Sequence, residues 1–453
     1  VLISFSVQNF MSFSNKVELN MLTTAAVKEL PQNATVAVVN GRGDSKQKLG
    51  ILKSTIIFGP NAGGKTNLLA ALRRFCGFVI KSHDEMEGTI SNPFLLDRKK
   101  RKEPSEFEVR LLLSGIRYRF GFSVNEERVL EEWLFIADKG VERLLYTREY
   151  RQNERADIYK YGPEQAKSFN ALEKKVRPNA LLLSVAAQFN IREALDIHVF
   201  LRKIKVLDIR GDRTDDISES QLKAVSLWLQ YADTGIRAVK TVSADMNFKG
   251  LLSDLEQRAK KDKKFKNLHQ AMLLLNEFEE GFQNKPPKNM EFIYLDRENK
   301  RVSISKKQQS AGTLAMLATA CHIMNQYRQG GILLFDELES SLHPMICEAL
   351  IKVIHEITGD KLQFIMTTHN VLLLNSDLFR RDQVWIMEKD QYGQSGLKNL
   401  ADFVGIRKFA KLGKHYLEGF FGGLPLLDDR KIKEIVAALQ AQSESEEHSN
   451  EQA

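Results

Sequence analysis

Residues 59–66, Gly59-Pro60-Asn61-Ala62-Gly63-Gly64-Lys65-Thr66, carry the spacing G-x-x-x-x-G-K-T. Glycines here let backbone N–H groups turn inward on a phosphate chain, and a helix opening at the loop's end adds positive potential. Lys65 is placed to reach the β- and γ-phosphates of a nucleotide, Thr66 to ligate Mg2+ through its hydroxyl, and Asn67 follows in the first turn. A second run, Ile332-Leu333-Leu334-Phe335, ends in Asp336-Glu337. Asp336 would hold the Mg2+ and Glu337 would polarise the attacking water; the alternative is a strand that ends in two solvated carboxylates. Ser310-Ala311-Gly312-Thr313 reads on its own as a polar helix start. His369, in Thr367-Thr368-His369-Asn370, stands at the end of another apolar run and is by itself either structural or catalytic.

These residues need elements to bring them together. Thr55–Phe58 is an apolar strand, and Leu68, Leu69 and Leu72 open a helix, the strand-loop-helix context that a phosphate loop requires. Ile3, Phe5 and Val7 alternate, as do Val17, Leu19 and Met21, the period of half-buried strands. Phe107 to Leu113, then Ser114-Gly115, then Ile116 to Phe122 predict a β-hairpin with a two-residue turn. Its other face carries Arg110, Arg117 and Arg119, either solvated or turned to phosphate. Leu222, Val225 and Leu229, then Leu251, Leu255 and Ala259, then Leu268, Met272, Leu275 and Phe278 recur at helical spacing. Pro286-Pro287 stops that pattern, after which β/α alternation resumes to about residue 390. The simplest description is an α/β domain with a helical block inserted.

Composition narrows the function classes. Of 453 residues, 43% are hydrophobic and 27% charged, which excludes a disordered, collagenous or disulfide-stapled chain. No apolar run is long enough for a membrane helix, and VLISFSVQNF lacks the basic and apolar regions of a secretory signal. Cys76, Cys321 and Cys347 fit buried thiols in a reducing cytoplasm. The net charge is +8 although the last fourteen residues hold four Glu and no Lys or Arg. A basic body permits DNA contact, with Arg98-Lys-Lys-Arg-Lys102 and the basic run at 260–266 as candidate patches, or is simply a solvated surface.

Taken in order, the motifs resemble the ATP-binding-cassette class of P-loop ATPases, and within it the RecF/SMC/Old branch. The resemblance rests on Asn9-Phe10 with Ser12-Phe13, GPNAGGKT, SAGT at 310–313, LLFDELESSLHP and TTHN, and covers about residues 1–150 and 290–395. It implies an ABC-type P-loop NTPase head, a mixed sheet plus an antiparallel β-subdomain, with an inserted helical arm. The corresponding division is 1–164 and 289–395 for the two halves of the head, 165–288 for the arm, 396–439 for a partner or packing segment, and 440–453 for a disordered acidic tail. It further implies that Ser310 and Gly312 act on the γ-phosphate of ATP held by another subunit's Lys65, in a homodimer or larger oligomer. His369 would be the switch histidine and Glu339 to Pro344 the D-loop. Phe94 to Asp97 lies where the glutamine lid is expected but has no Gln. ATP rather than GTP follows from the same resemblance.

Among branch members the short arm is most similar to the ATPase subunits of two-gene bacterial anti-phage systems of the RloA/AbiLi, PARIS or Septu type. These act in the cytoplasm with a separate effector, an RloB/TOPRIM-like protein or another nuclease or toxin. Tyr416 to Pro425 resembles the tail of the RloA/AbiLi ATPases or is a segment packing on the head. The alternative is a RecF/SMC-like DNA clamp. A catalytic Old-type nuclease lacks room and acids after His369, and a transporter cassette does not carry so long an insertion.

Overall fold

The computed structural model describes the chain except residues 43–44, 85–87, 164–165, 208–218, 233, 244–287, 341, 358–360, 406–410, 426–427, 429–430 and 441–453. An antiparallel sheet contains β1 (Leu2–Gln8) and β2 (Val17–Asn20), followed after the hairpin β3 (Ala34–Asn40) and β4 (Lys46–Leu52) by later strands. The phosphate-loop strand is β5 (Ser54–Phe58). The sheet resumes with β6 (Ser105–Leu113), β7 (Ile116–Val124), β8 (Val129–Ala137), β9 (Arg143–Arg151) and β10 (Ala156–Tyr161), in the order β10-β9-β8-β7-β6-β1-β2. The β6–β7 turn is the expected Ser114-Gly115 pair, both left-handed (φ 50° and 80°) as a tight hairpin turn demands. Its arginine face is a solvated ion-pair face: Arg119 meets Glu142 at 2.6 Å and Glu108 at 3.3 Å, and Arg117 donates to the Gly140 carbonyl.

The second sheet holds β11 (Ile204–Val206), β15 (Gly331–Phe335), β16 (Leu362–Thr368), β5, β17 (Val384–Lys389) and β18 (Ser395–Asn399) in that spatial order. All neighbours run parallel except β17 and β18. Between β11 and β15 in sequence comes a small antiparallel sheet of β12 (Ala238–Ser243), β13 (Lys288–Leu295) and β14 (Arg301–Ser305). The α-helices are α1 (Lys65–Lys81), α2 (Ala166–Asn170), α3 (Leu182–Gln188), α4 (Arg192–Arg202), α5 (Glu219–Tyr231), α6 (Ala311–Gln329), α7 (Pro344–Ile357) and α8 (Leu412–Leu417).

Strand pleating divides the parallel sheet's side chains between two cores. Ile57, Ile332, Leu334 and Ile365 join Leu68, Leu72 and Phe75 of α1 and Phe5, Phe107, Phe120 and Phe122 of the antiparallel sheet. Phe75 and Phe122 stack there with centroids 5.3 Å apart. Their neighbours Ile56, Leu333, Phe364 and Met366 face the other way, onto α5, α6 and α7. Helix α1 is thus wedged between two sheets, which fixes where its N-terminus, and the loop before it, must stand.

The described parts of 165–288 are built into the two cores and the parallel sheet. Phe169, Leu182, Ala186, Ile197 and Leu201 of α2–α4 enter the first core, β11 is an edge strand of the parallel sheet, and Leu222, Val225 and Leu229 of α5 enter the second core. A buried polar cluster docks the start of α3: Glu132 accepts from the Leu182 and Leu183 amides and the Tyr146 hydroxyl, while Arg148 donates to the Ala180 carbonyl and Asp157. The helical repeats at Leu251 and Leu268, the basic run at 260–266 and the acidic tail from 441 lie outside the described residues. In the 416–425 segment, the Tyr416 hydroxyl donates to the Gly423 carbonyl and Phe421 is buried in the second core, so this stretch packs on the α/β body. All three cysteines are free and buried, and burial pushes each thiol up to about 12. No helix among the described residues is long and apolar enough to cross a membrane.

Candidate nucleotide site

The loops after β5, β15 and β16 leave the same edge of the parallel sheet. In register, Phe335 lies beside Met366 and Thr368 beside Phe58. The loop 59–64, the acids 336–337 and His369 therefore emerge together, at the strand ends where ligands of parallel α/β sheets sit.

The loop is held from below. Gly64 is left-handed (φ 112°), and a Cβ there would collide with the Ser395 hydroxyl and crowd Ser12. A Cβ on Gly59 would meet the Met387 carbonyl at 2.5 Å. Ser395 Oγ donates to the Gly63 carbonyl (2.7 Å) and accepts from Ser12 Oγ (2.8 Å), which in turn accepts from Asn67 Nδ2 (2.7 Å). Asn67 thus braces the loop from beneath. Lys65 is buried and its Nζ donates to the carbonyls of Gly59 (2.8 Å) and Pro60 (3.0 Å). Desolvation holds its ammonium below the usual lysine range, against the attraction of Glu339, Glu337 and Asp336.

Opposite Lys65, Asp336 Oδ1 accepts from Thr367 Oγ1 (2.7 Å) and from Thr66 Oγ1 (3.2 Å). Among the described residues no three His, Cys, Asp or Glu side chains are grouped to hold a metal alone. The two oxygens of Thr66 and Asp336 therefore suit a cation that takes the rest of its shell from phosphate and water, as Mg2+ does. Glu337 has a left-handed backbone (φ 53°), rare for a residue with a Cβ, and its amide donates to Thr367 Oγ1 (2.9 Å). Such a conformation concentrates at functional sites. His369, half exposed, places Nδ1 at 2.8 Å from Glu339.

Ser310 caps α6, its Oγ accepting from the Thr313 amide (3.1 Å), and is solvent-exposed. Among the described residues no hydrogen bond joins it or Gly312 to the loop, Asp336 or His369. The 94–97 segment is hung from Asn9: Asn9 Oδ1 accepts from the Phe94 amide, and Nδ2 donates to the Lys100, Glu103 and Pro104 carbonyls. Sequence reasoning passed over Thr367, which ties Asp336 to Glu337, and Ser395, which carries no local motif.

Residues 54–375 match the family described as "AAA domain, putative AbiEii toxin, Type IV TA system". The chain belongs to this AAA family. It is an ATP-binding ATPase. No curated protein matches its sequence. Among solved structures it is similar at 12% identity to the SMC head domain from Thermotoga maritima, with a TM-score of 0.40, over 88% of this chain and 98% of that one. An SmcHead bound to the C-winged helix domain of ScpA is similar at 12% identity and a TM-score of 0.41, over 88% of this chain and 96% of that chain.

Proposed function

We propose that this AAA ATPase is the regulatory subunit of a bacterial anti-phage system, in which ATP-dependent association of two heads holds and releases a separate effector, a nuclease or toxin. Each composite site would join one chain's Lys65, Thr66, Asp336, Glu337 and His369 to the Ser310 and Gly312 of another. The observation that supports it is the solvent-exposed Ser310, which caps its own helix and, among the described residues, makes no hydrogen bond to its own phosphate loop. A signature serine so placed is available to a second chain. Bound Mg2+ would neutralise charge on the transferring phosphoryl group. Lys65 would leave its loop carbonyls for the phosphates, Glu337 would orient the attacking water, and His369 would meet the γ-phosphate. Loss of that phosphate would remove the contacts that hold the heads together.

The experiment is native mass spectrometry of Glu337→Gln with ATP, co-expressed with the product of the neighbouring gene. The expected result is a complex containing both proteins. A bare homodimer, unchanged by the neighbour, favours the second reading, a DNA clamp of RecF/SMC type. The basic loop Arg98–Lys102, hung from Asn9 next to the 10–13 turn under the phosphate loop, favours that reading, and salt-dependent DNA binding would test it.

A further inference from the structure

Glu339 follows the Asp336-Glu337 pair at the end of β15, yet its bonds go to the end of the neighbouring strand. Its side chain is only 10% exposed. Oε2 accepts from the Thr368 hydroxyl (2.6 Å), and Oε1 accepts from both the His369 amide (2.7 Å) and His369 Nδ1 (2.8 Å). An ionised carboxylate has no proton to give, so Nδ1 carries the hydrogen in that contact. One oxygen then holds the residue at two points, the backbone by its amide and the ring by Nδ1, and the ring bond restricts both rotation and tautomer. The free edge of the half-exposed imidazole is Nε2.

We propose that Glu339 is the positioning residue for His369, holding Nδ1–H inward so that Nε2 is turned toward the γ-phosphate of bound ATP. This rests on the reading of His369 as the residue that meets that phosphate. The electrostatics argue against Glu339 as a mere turn closer. Glu339 is one of three acids whose charge acts on Lys65, and a carboxylate so placed repels a triphosphate bound at that lysine. A neutral side chain would close the turn without that penalty. A carboxylate suits a place where an imidazole must be oriented, because it accepts from Nδ1–H and leaves Nε2 outward.

The test is turnover and ATP affinity of the full chain as wild type, Glu339→Ala, Glu339→Gln, His369→Ala and the double variants. Glu339→Ala is expected to lower kcat about 10- to 100-fold, the scale for losing a group that orients a functional histidine, while ATP binds no more weakly than to wild type. Glu339→Gln, whose amide oxygen can still accept from Nδ1, is expected to fall between the two. In the His369→Ala background neither Glu339 change should cost more than about a further twofold, because the residues act as one unit. Full additive losses would overturn the proposal and place Glu339's role elsewhere. A slow His369→Ala beside a fast Glu339→Ala would sink the positioning role alone. Wild-type turnover in His369→Ala would remove both this role and the reading of His369. Should Glu339→Ala fail to fold, the cycle of Glu339→Gln with His369→Ala makes the same comparison.

Discussion

Glu337 is held in a backbone conformation that costs on the order of 1–3 kcal/mol for a residue with a Cβ, and the bond from its amide to Thr367 Oγ1 helps to maintain it. Thr367 also donates to Asp336, so one hydroxyl fixes the backbone of one acid and the side chain of the other. Glu337→Gln leaves the amide bond, the left-handed turn and the metal-side oxygens of Thr66 and Asp336 untouched. The variant is therefore expected to bind ATP normally and to hydrolyse it at least about a hundredfold more slowly, the scale for loss of one positioned acid–base group. Nucleotide binding and phosphate release measured on the same preparation check this; near-normal release would take Glu337 out of the chemistry.

At the scale of elements, the site is a meeting of three strand ends backed by a clamp. Strand β18 and the 10–13 turn support the phosphate loop through Ser395 and Ser12, and Gly64 is where the fit is closest. Gly64→Ala should force a strained φ and push against both hydroxyls. Taking about 1–3 kcal/mol of strain into the loop, ATP affinity is expected to drop about 5- to 150-fold while circular dichroism stays that of the folded protein. An unchanged affinity would mean the clamp yields freely. The contiguous motifs were legible in sequence because each is one strand end with its own loop: GPNAGGKT, LLFDE and TTHN. The partners that brace them were not. Ser395, and Glu339 as the partner of His369, become meaningful only once strands distant in the chain are neighbours. Leu222, Val225 and Leu229 show the limit of spacing, since a helical repeat reports an apolar face and not which core receives it, here the second.

At the scale of the whole molecule, the proposed composite site makes a prediction that no single-chain site shares. Ser310→Arg is expected to retain ATP binding and lose hydrolysis, and Lys65→Ala to lose binding. Mixed in equal amounts, the two inactive variants should regain turnover, since a mixed dimer joins an intact Lys65 to an intact Ser310 across one interface. Absence of recovery, with mixed dimers demonstrated by mass, would show that each chain completes its own site.

The strand order has one more consequence, for the order of events during synthesis. Strand β5 is flanked by β16 and β17, pairing Ser54 with Phe364 and Ile56 with Val384. Even β1 is riveted to β16, through the side chain of Gln363 on the Leu2 amide and carbonyl. At about 5–20 residues per second, the ribosome delivers these partners tens of seconds after β5 has emerged. Through that interval the ATP-binding strand has neither of its neighbours and both of its edges open, so the nascent chain needs something else to shield it before a nucleotide site exists.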